Sequence, residues 1–569
     1  MTGKKIIECV PNFSEGRDKD IIKQITDAIE SVKGVKLIDV DMGWATNRTV
    51  VTFAGEPEAV CEAAFKAAKV AKELIDMTKH KGAHPRFGAT DVLPLVPIAN
   101  ITMEETVKYA RELAKRIGEE LKYPVYCYEF AAFIPERKNL ANVRAGEYEG
   151  LAEKLKNPEW KPDFGPSEFV PKTGATAVGA RKILIAYNIN LNTTSTRRAN
   201  AIAFDVREKG RPLREGNPIT GPIKKDEYGN EIWIPGSLKA VKGIGWYIEE
   251  YGIAQVSLNL TDIDITPLHI AFEEVCKKAE ARGVRVTGSE IVGVVPLKAI
   301  LDAGKYFLKK QKRSLGIPDE EIIRIAIKSL GLNELYPFEP KKKIIEFILQ
   351  DEKEEAKRTR LISMPVKKFI EETASESVAP GGGSVSAIIG SLGAALATMV
   401  ANISSHKPGW DDNWEFFSNW AEKGKYYYTH LMQLIDEDTL AFNKVMEAYS
   451  LPKSTEEEKA IREKAIEEAT KYAIEVPFKV LKLSYESMDV LLEMAKHGNP
   501  NSISDVGVGA YAALTAIKGA LLNIKINIVN IKDEVYKQNI LQEAYNILQN
   551  ALNKEKEISS IVDATINKL

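Results

Sequence analysis

Hydrophobic residues recur with two different periods along this 569-residue chain, and the change of period divides it. As far as about residue 330, short alternating runs are interleaved with stretches in which apolar residues return every three or four positions. Period two is that of a strand and period 3.6 that of a helix. Strands are expected over Lys4–Cys9, Val35–Asp41, Thr49–Phe53 and Val92–Pro97, with helices over Asp18–Val32 and Pro57–Met77. The order is β-α-β-β-α-β, the split βαβ or ferredoxin-like arrangement. A helix over Met103–Leu121 and a strand over Val125–Tyr128 extend it. After a passage rich in Gly, Pro and aromatics, Gly146–Gly179, the same order returns. Its strands are Lys182–Asn190, Ala240–Glu249, Ala254–Leu260 and Val284–Gly288, and its helices Ser195–Glu208 and Pro267–Arg282, followed by helices Pro296–Lys310 and Glu320–Ser329. An insertion, Gly210–Ser237, carries four Pro and five Gly and reads as a loop.

From Met364 every strong periodicity is helical: Ser384–Ser404, Asp412–Tyr449, Thr455–Lys496, Ser502–Asn530 and Asp533–Asn567. The expected fold class is therefore an α+β N-terminal half of two ferredoxin-like subdomains with mixed sheets, followed by an all-α helical bundle. The expected boundaries are 1–180, 181–337, a charged linker over 338–362, and 363–569. Residues 377–405 contain no Lys, Arg, Asp or Glu, which is long enough to raise a membrane span. The run is small-residue rich and holds Pro380 and three consecutive glycines, so a buried helix packed closely on a neighbour is expected instead.

Composition narrows the class. A hydrophobic fraction of 44%, a charged fraction of 28% and a net charge of −2 describe an ordinary soluble globular protein with no bulk attraction to nucleic acid or anionic membrane. The four cysteines are widely spaced and read as free thiols. With no secretory pattern in the first residues, a cytoplasmic location is expected.

Two places stand out chemically. In His80-Lys-Gly-Ala-His84-Pro-Arg-Phe-Gly-Ala-Thr-Asp91, Pro85 keeps His84 out of helical backbone, beside Arg86 and near Asp91. These histidines suit proton transfer, a structural role, or zinc at the i, i+4 spacing, although Gly82 and Pro85 argue against the helix that zinc spacing needs. In the helical half, Leu431, Leu434, Ile435, Ala441, Phe442 and Val445 form one apolar stripe on which Asp438 lies, while Asp436 and Glu437 point elsewhere. A carboxylate there is either hydrogen-bonded to a neighbouring helix or raised in pKa and able to move a proton. Gly381, Gly382, Gly383 and Ser384 precede a helix whose free amides suit a carboxylate, and they lack the Lys of a phosphate loop. Gly390, Gly393, Ala394 and Ala397 leave room for a second small-residue helix such as Gly507–Ala516, which Asn499, Asn501 and Asp505 can cap.

Cys9-Val-Pro-Asn-Phe-Ser-Glu-Gly16, Asp39-Val-Asp41, Thr46-Asn-Arg-Thr49, His84 to Asp91 and Asp163 to Pro171 together resemble the formiminotransferase domain of the formiminotransferase-cyclodeaminase family. Ala379 to Val385 and Gly498 to Asp505 resemble its cyclodeaminase domain, in the same order and over nearly the whole chain. The resemblance implies a bifunctional folate enzyme of histidine degradation. The formimino group of N-formimino-L-glutamate passes to N5 of tetrahydrofolate, and 5-formiminotetrahydrofolate then cyclises to 5,10-methenyltetrahydrofolate with loss of ammonia. The narrower alternative is a transferase whose helical half serves only assembly. By the resemblance His84 is the catalytic histidine, Asp438 the cyclodeaminase acid/base, and Gly165, Pro166, Ser167, Glu168, Phe169, Val170, Pro171, Lys172, Thr173 and Gly174 the folate-binding stretch. Asn12, Asp39, Asn47, Arg48 and Arg86 become substrate contacts, as do Gly381, Gly382, Gly383, Ser384, Asn499 and Asp505. It further implies polyglutamated tetrahydrofolate as co-substrate, no bound cofactor or metal, and homo-oligomers. The insertion Gly210–Ser237 is longer than the matching loop of animal members, which touches assembly rather than chemistry.

Overall fold

The computed structural model describes residues 4–44, 47–82, 86–217, 220–349 and 360–568. Contacts divide the chain into two units, Met1–Ala303 with Ile327–Gln350, and Gly304–Ala326 with Asp351–Leu569.

The first unit opens with β1 (Ile6–Cys9), β2 (Asn12–Phe13), α1 (Lys19–Glu30), β3 (Val35–Gly43), β4 (Arg48–Gly55), α2 (Pro57–Leu74), β5 (Thr90–Ala99), α3 (Met103–Glu120), β6 (Val125–Glu129), α4 (Leu140–Arg144), α5 (Glu147–Lys154) and β7 (Thr176–Ala180). The sheet runs β3-β4, then β1 and β2 as one interrupted strand, then β5-β7-β6. The first four positions are antiparallel; β7 joins β5 and β6 in parallel, so the sheet is mixed. Local sequence explains the helices. The Asp18 carboxylate caps α1 by accepting from the amides of Asp20 and Ile21, and Ile22, Ile25, Thr26 and Ile29 turn one face inward. Thr102 and Glu105 form a reciprocal capping box at α3. The inward faces of α1, α2 and α3 cover Ile7, Cys9, Val51, Phe53, Leu93 and Leu95 of the sheet.

The second half of this unit repeats the order with β8 (Ile185–Leu191), α6 (Thr196–Val206), β9 (Arg211–Pro212), β10 (Trp233–Ile234), β11 (Val241–Ile248), β12 (Ile253–Leu260), α7 (Leu268–Glu280) and β13 (Val286–Val292). Its sheet, β11-β12-β8-β13, is antiparallel throughout, so mixed pairing is confined to the first sheet. The insertion is not plain loop: β9 pairs with β10, and bridges join Arg214 to Ile223 and Lys225 to Glu231. Next come α8 (Leu297–Lys310), α9 (Asp319–Leu330), α10 (Pro340–Lys343) and α11 (Ile345–Ile348). The start of the expected linker is packed structure: Ile344 and Ile345 are fully buried, Ile344 bridges Val295, and the Glu346 carboxylate accepts from the Leu297 amide at 2.7 Å. Residues 350–359 of that linker lie outside the described residues.

The helical unit comprises α12 (Val366–Thr373), α13 (Gly382–Ser404), α14 (Trp414–Ser450), α15 (Glu456–His497), α16 (Ile503–Ile528) and α17 (Glu534–Ile566). It also takes up residues 304–326, expected with the second subdomain. The Leu315 amide donates to Ser418 Oγ at 3.0 Å, and Lys425 Nζ donates to the Ile317 carbonyl at 2.6 Å. Two helical segments, Gly382–Ser404 and Pro500–Ile528, are long and apolar enough to cross a membrane, and both are mostly buried inside the unit. They run antiparallel, with backbones nearly touching where a Cβ on Gly393 would meet the Gly509 carbonyl at 2.9 Å. The small-residue stripe serves this approach, as its composition led us to expect.

Pro477 interrupts α15 and leaves the Ala473 carbonyl without its i+4 donor. Asn527 Nδ2 of α16 supplies a donor at 2.9 Å. Asn527→Ala should therefore destabilise the helical unit by about 1–3 kcal/mol, the range for an orphaned polar group. In a Pro477→Ala background, where residue 477 regains its amide, that loss should shrink to near zero. A denaturant double-mutant cycle checks this, and additive effects would show that the bond contributes nothing.

Candidate active sites

In the first unit the segment before His84 meets Asn47, and the segment after it returns to His80 through Arg86. His84 itself lies outside the described residues, together with Ala83 and Pro85, as does Thr46 on the other side. Asn47 sits in left-handed backbone (φ 49°). Its Oδ1 accepts from the Gly16 amide at 3.0 Å, and its Nδ2 donates to the Lys81 carbonyl at 3.0 Å. Its own carbonyl lies 2.8 Å from His80 Nε2. Gly16 has room for no side chain, because a Cβ would run into the backbones of Gly43 and Arg48. Arg86 Nε donates to His80 Nδ1 at 3.2 Å. His80 thus carries its proton on Nε2 and spends its Nδ1 lone pair on Arg86, a neutral tautomer with no lone pair left for zinc. Burial, with Arg86 beside it, pushes the His80 pKa down.

Arg86 also forks onto Glu149, at 2.5 Å to Oε1 and 3.1 Å to Oε2. Asp91, expected within reach of His84, is almost fully buried and accepts from the Phe87 amide at 2.9 Å and from Arg144. Burial drives its pKa up and Arg144 draws it back. Arg48 is half-buried, its Nε has no partner, and Asp91 and Asp41 are the anions that act on it. Asn12 is buried on β2, while Asp39 is exposed on the edge strand β3, opposite Thr52. The structure therefore joins Asn47, His80 and Arg86 by hydrogen bonds and leaves Asp39 apart.

The stretch Gly165–Gly174 is pinned beside this segment. The Ala89 amide donates to the Thr173 carbonyl at 2.8 Å, and Gly174 bridges Gly88. Tyr148 Oη donates to the Pro171 carbonyl at 2.6 Å, and Lys172 Nζ to the Glu73 carbonyl at 2.7 Å. Ser167, Glu168, Pro171 and Lys172 are exposed. Phe169 is half-buried against the Tyr148 ring, with centroids 5.5 Å apart, so it packs within the protein instead of standing free as a stacking surface. Sequence reasoning missed Arg144, Tyr148 and Glu149. They lie more than fifty residues from Arg86, and no local spacing announces them.

In the helical unit the stripe on α14 holds at Leu431, Leu434, Ile435 and Ala441, which are buried, and opens at Phe442, which is 42% exposed. Asp438 Oδ2 accepts from the Ser384 amide at 2.9 Å and lies 3.2 Å from Ser384 Oγ. That hydroxyl also lies 2.8 Å from the Ile435 carbonyl, and its single proton can serve only one acceptor. A Cβ on Gly383 would overlap the Asp438 carboxylate, so a larger residue there would displace the acid. The amides at the start of α13, expected to await a ligand, thus already hold a protein carboxylate. Burial pushes the Asp438 pKa up, and the two contacts from Ser384 draw it down. Asp436 turns away and is satisfied by the amides of Leu361 at 2.8 Å and Ile362 at 3.1 Å.

Asn499 and Asp505 are not gathered here. The Asn499 amide donates to Ser404 Oγ at 2.8 Å, at the far end of α13, some twenty residues or about 30 Å from Ser384. The cause is antiparallel packing, which brings the start of α16 to the end of α13. Asn523, near the end of α16, stands beside Gly382 instead, where a Cβ would meet its Nδ2 at 3.3 Å.

A carboxyl raised in the folded state favours folding at low pH, and that contribution fades as pH rises through the folded pKa. At neutral pH Asp438→Asn should consequently stabilise the helical unit relative to the parent. The difference should vanish in acid below the ordinary aspartate range. Denaturant unfolding followed against pH checks this, and an Asn variant less stable at pH 7 would contradict it.

Three family models match in order along the chain: the N-terminal subdomain of the formiminotransferase domain over residues 6–181, the formiminotransferase domain over 186–350, and formiminotransferase-cyclodeaminase over 365–546. The chain is 44% identical to the formimidoyltransferase-cyclodeaminase of Gallus gallus over 564 residues, 99% of each protein. It is 44% identical to the glutamate formimidoyltransferase of Thermoplasma acidophilum over 306 residues, 53% of this chain and 92% of that one. It is 34% identical to a methenyltetrahydrofolate cyclohydrolase of Methylorubrum extorquens over 202 residues, 36% of this chain and 97% of that one. With relatives this similar over nearly full length, the chain belongs to the formiminotransferase-cyclodeaminase family.

Proposed function

We propose that the chain catalyses two consecutive folate reactions. In the first unit the formimino group moves from N-formimino-glutamate to N5 of tetrahydrofolate and glutamate leaves. In the helical unit N10 attacks the formimino carbon of the product, ammonia leaves, and 5,10-methenyltetrahydrofolate forms. The observation that carries this is the match, at 44% identity and end to end, to a formimidoyltransferase-cyclodeaminase. Tetrahydrofolate, polyglutamated, is the co-substrate; no metal or further cofactor takes part. We place the protein in the cytoplasm, in histidine degradation, as a homo-oligomer that needs no membrane or nucleic acid.

The residues fit these roles. Amidine transfer needs one group to take the N5 proton and one to protonate the departing amine, and His84 does this work. Arg86, held by His80, presents a guanidinium to a substrate carboxylate in place of Glu149; Arg48, with an unpartnered Nε, and Asn12 offer further contacts, Asn47 holds the Gly16 and Lys81 backbones, and Gly165–Gly174 receives the folate. Asp438 protonates the nitrogen that leaves as ammonia. Burial keeps the acid protonated to higher pH, and the carboxylate left afterwards is received by the Ser384 amide at the positive end of α13. The methenyltetrahydrofolate cyclohydrolase relative favours a second reading, hydrolysis of the methenyl product at the same carbon.

Mixing the protein with formimino-glutamate and tetrahydrofolate should release glutamate and ammonia and build up methenyl-folate absorbance. A later decay of that absorbance, faster than without protein, would support the hydrolytic reading. Asp438→Asn should lower ammonia release by about 10²–10⁴-fold, the usual range for a proton-transfer group, and leave glutamate release within about twofold. His84→Ala should lower glutamate release by a similar factor and ammonia release with it, while ammonia release from supplied 5-formiminotetrahydrofolate stays within about twofold. Unchanged ammonia release in Asp438→Asn would leave the helical unit an assembly module.

A further inference from the structure

The repeated topology of the first unit supplies an internal comparison. On β8, Asn188 and Asn190 leave the face opposite the core residues Ile189 and Leu191, and that face is a closed polar network. Asn188 Nδ2 donates to Glu290 Oε1 at 2.8 Å, Tyr336 Oη to Glu290 Oε2 at 2.9 Å, Gln255 Nε2 to Asn190 Oδ1 at 2.8 Å, and Asn190 Nδ2 to Glu334 Oε2 at 2.6 Å. Satisfied in this way, it has a structural explanation.

The matching position in the first sheet is the interrupted strand β1–β2, and there Asn12 Oδ1 has no partner and no donor reaches Glu8 among the described residues. Glu8 lies opposite Ala54 and Val96, and Asn12 opposite Val50 and Val92. Both side chains are four residues apart on all three strands, so they leave one face, about 13 Å from each other. Ile7, Cys9 and Phe13 turn to the helix-covered side. Glu8 is 5% exposed and Asn12 6% exposed. Asn12 Nδ2 donates to the Val10 carbonyl at 3.1 Å, but its Oδ1 has no partner. Among the described residues no group donates to the Glu8 carboxylate, and the cation that acts on it is Arg181. Burial pushes the Glu8 carboxyl up to about 7. A buried carboxylate without donors is destabilising. It is satisfied when donors arrive with a ligand.

Resting on the transferase reading above, we propose that Glu8 is a receptor for a paired N–H donor of the amidine type, two nitrogens flanking one carbon. Both reactants of the first step carry such a group: the formimino end of formimino-glutamate, and the 2-amino and N3–H edge of the pterin. Either presents two parallel N–H bonds to the two carboxylate oxygens.

The experiment compares the full-length parent with Glu8→Gln and Glu8→Asp. Ligand-free unfolding midpoints are measured, then the shift on adding formamidine, then calorimetric titrations with formimino-glutamate alone and tetrahydrofolate alone. Glu8→Gln should raise the ligand-free midpoint, because a buried charge without hydrogen-bond donors is removed, and abolish the formamidine shift seen in the parent. It should weaken one reactant by about tenfold to a hundredfold and leave the other within about twofold, which identifies the source of the amidine. Glu8→Asp, which keeps the charge, should lose less. A lowered midpoint in Glu8→Gln, failure of that variant to fold, an equal formamidine shift in both proteins, or unchanged binding of both reactants overturns the assignment. A parent that responds to formamidine yet turns over neither reactant overturns the transferase reading and leaves the Glu8 site standing.

Discussion

The helical unit depends on how closely α13 and α16 can approach. Gly393 lies so close to the Gly509 carbonyl that a Cβ there would overlap it, and Gly390 faces Ala516 at close contact, which holds the two helices in one register. Once it is fixed, the start of α13 has one possible neighbour on α14, and Gly383 and Ser384 meet Asp438 there. A bulkier residue at the crossing would move the Ser384 amide from the carboxylate. Packing far from the acid therefore sets the acid's proton affinity, because the two Ser384 contacts are what oppose its desolvation.

The first unit reaches a similar end by repetition. Two sheets share one strand order, and each buries one face under helices. The other face of the second sheet is polar, and that of the first carries Glu8 and Asn12 among apolar residues such as Val92, Tyr126 and Tyr128. In the second sheet the polar groups satisfy one another; in the first, Asn12 Oδ1 has no partner and Glu8 has the charge of Arg181 in place of a hydrogen-bond donor. Four strands correspond in the two copies, while the first adds β7 and β6 and breaks its central strand into β1 and β2.

Periodicity exposed nearly every long element because their stripes are local. The five long bundle helices begin and end within two residues of their expected bounds. Sequence failed where tertiary contact supplied the reason for structure. In Gly146–Gly179 the strand β7 is a five-residue run of small residues that only β5 and β6 make into a strand. The Lys triplet at 341–343 hides the Ile344–Ile345 pair that packs on Val295. Residues 304–326 look like more of the second subdomain, and their attachment to α14 rests on Ser418, Ala421 and Lys425, about a hundred residues away. Asn499 and Asp505 were grouped with the start of α13 by family pattern, although antiparallel packing separates them from Asp438 within one chain. The same antiparallel register, read from the two glycine stripes, would have pointed to Asn523.

One physical effect shapes the ionisable groups of both sites. Removing water disfavours charge whatever its sign, so burial lowers the pKa of His80 and raises that of Asp438. Near neutrality the first is held as a neutral ring that orients Arg86, and the second is biased towards the acid that a leaving nitrogen requires. What differs is the group that opposes burial. For His80 it is the Asn47 carbonyl, and for Asp438 the amide and hydroxyl of Ser384. Of these contacts only the Ser384 hydroxyl is a side chain, so it is where substitution should retune a site; the Asn47 carbonyl and the Ser384 amide are backbone and are set by the fold.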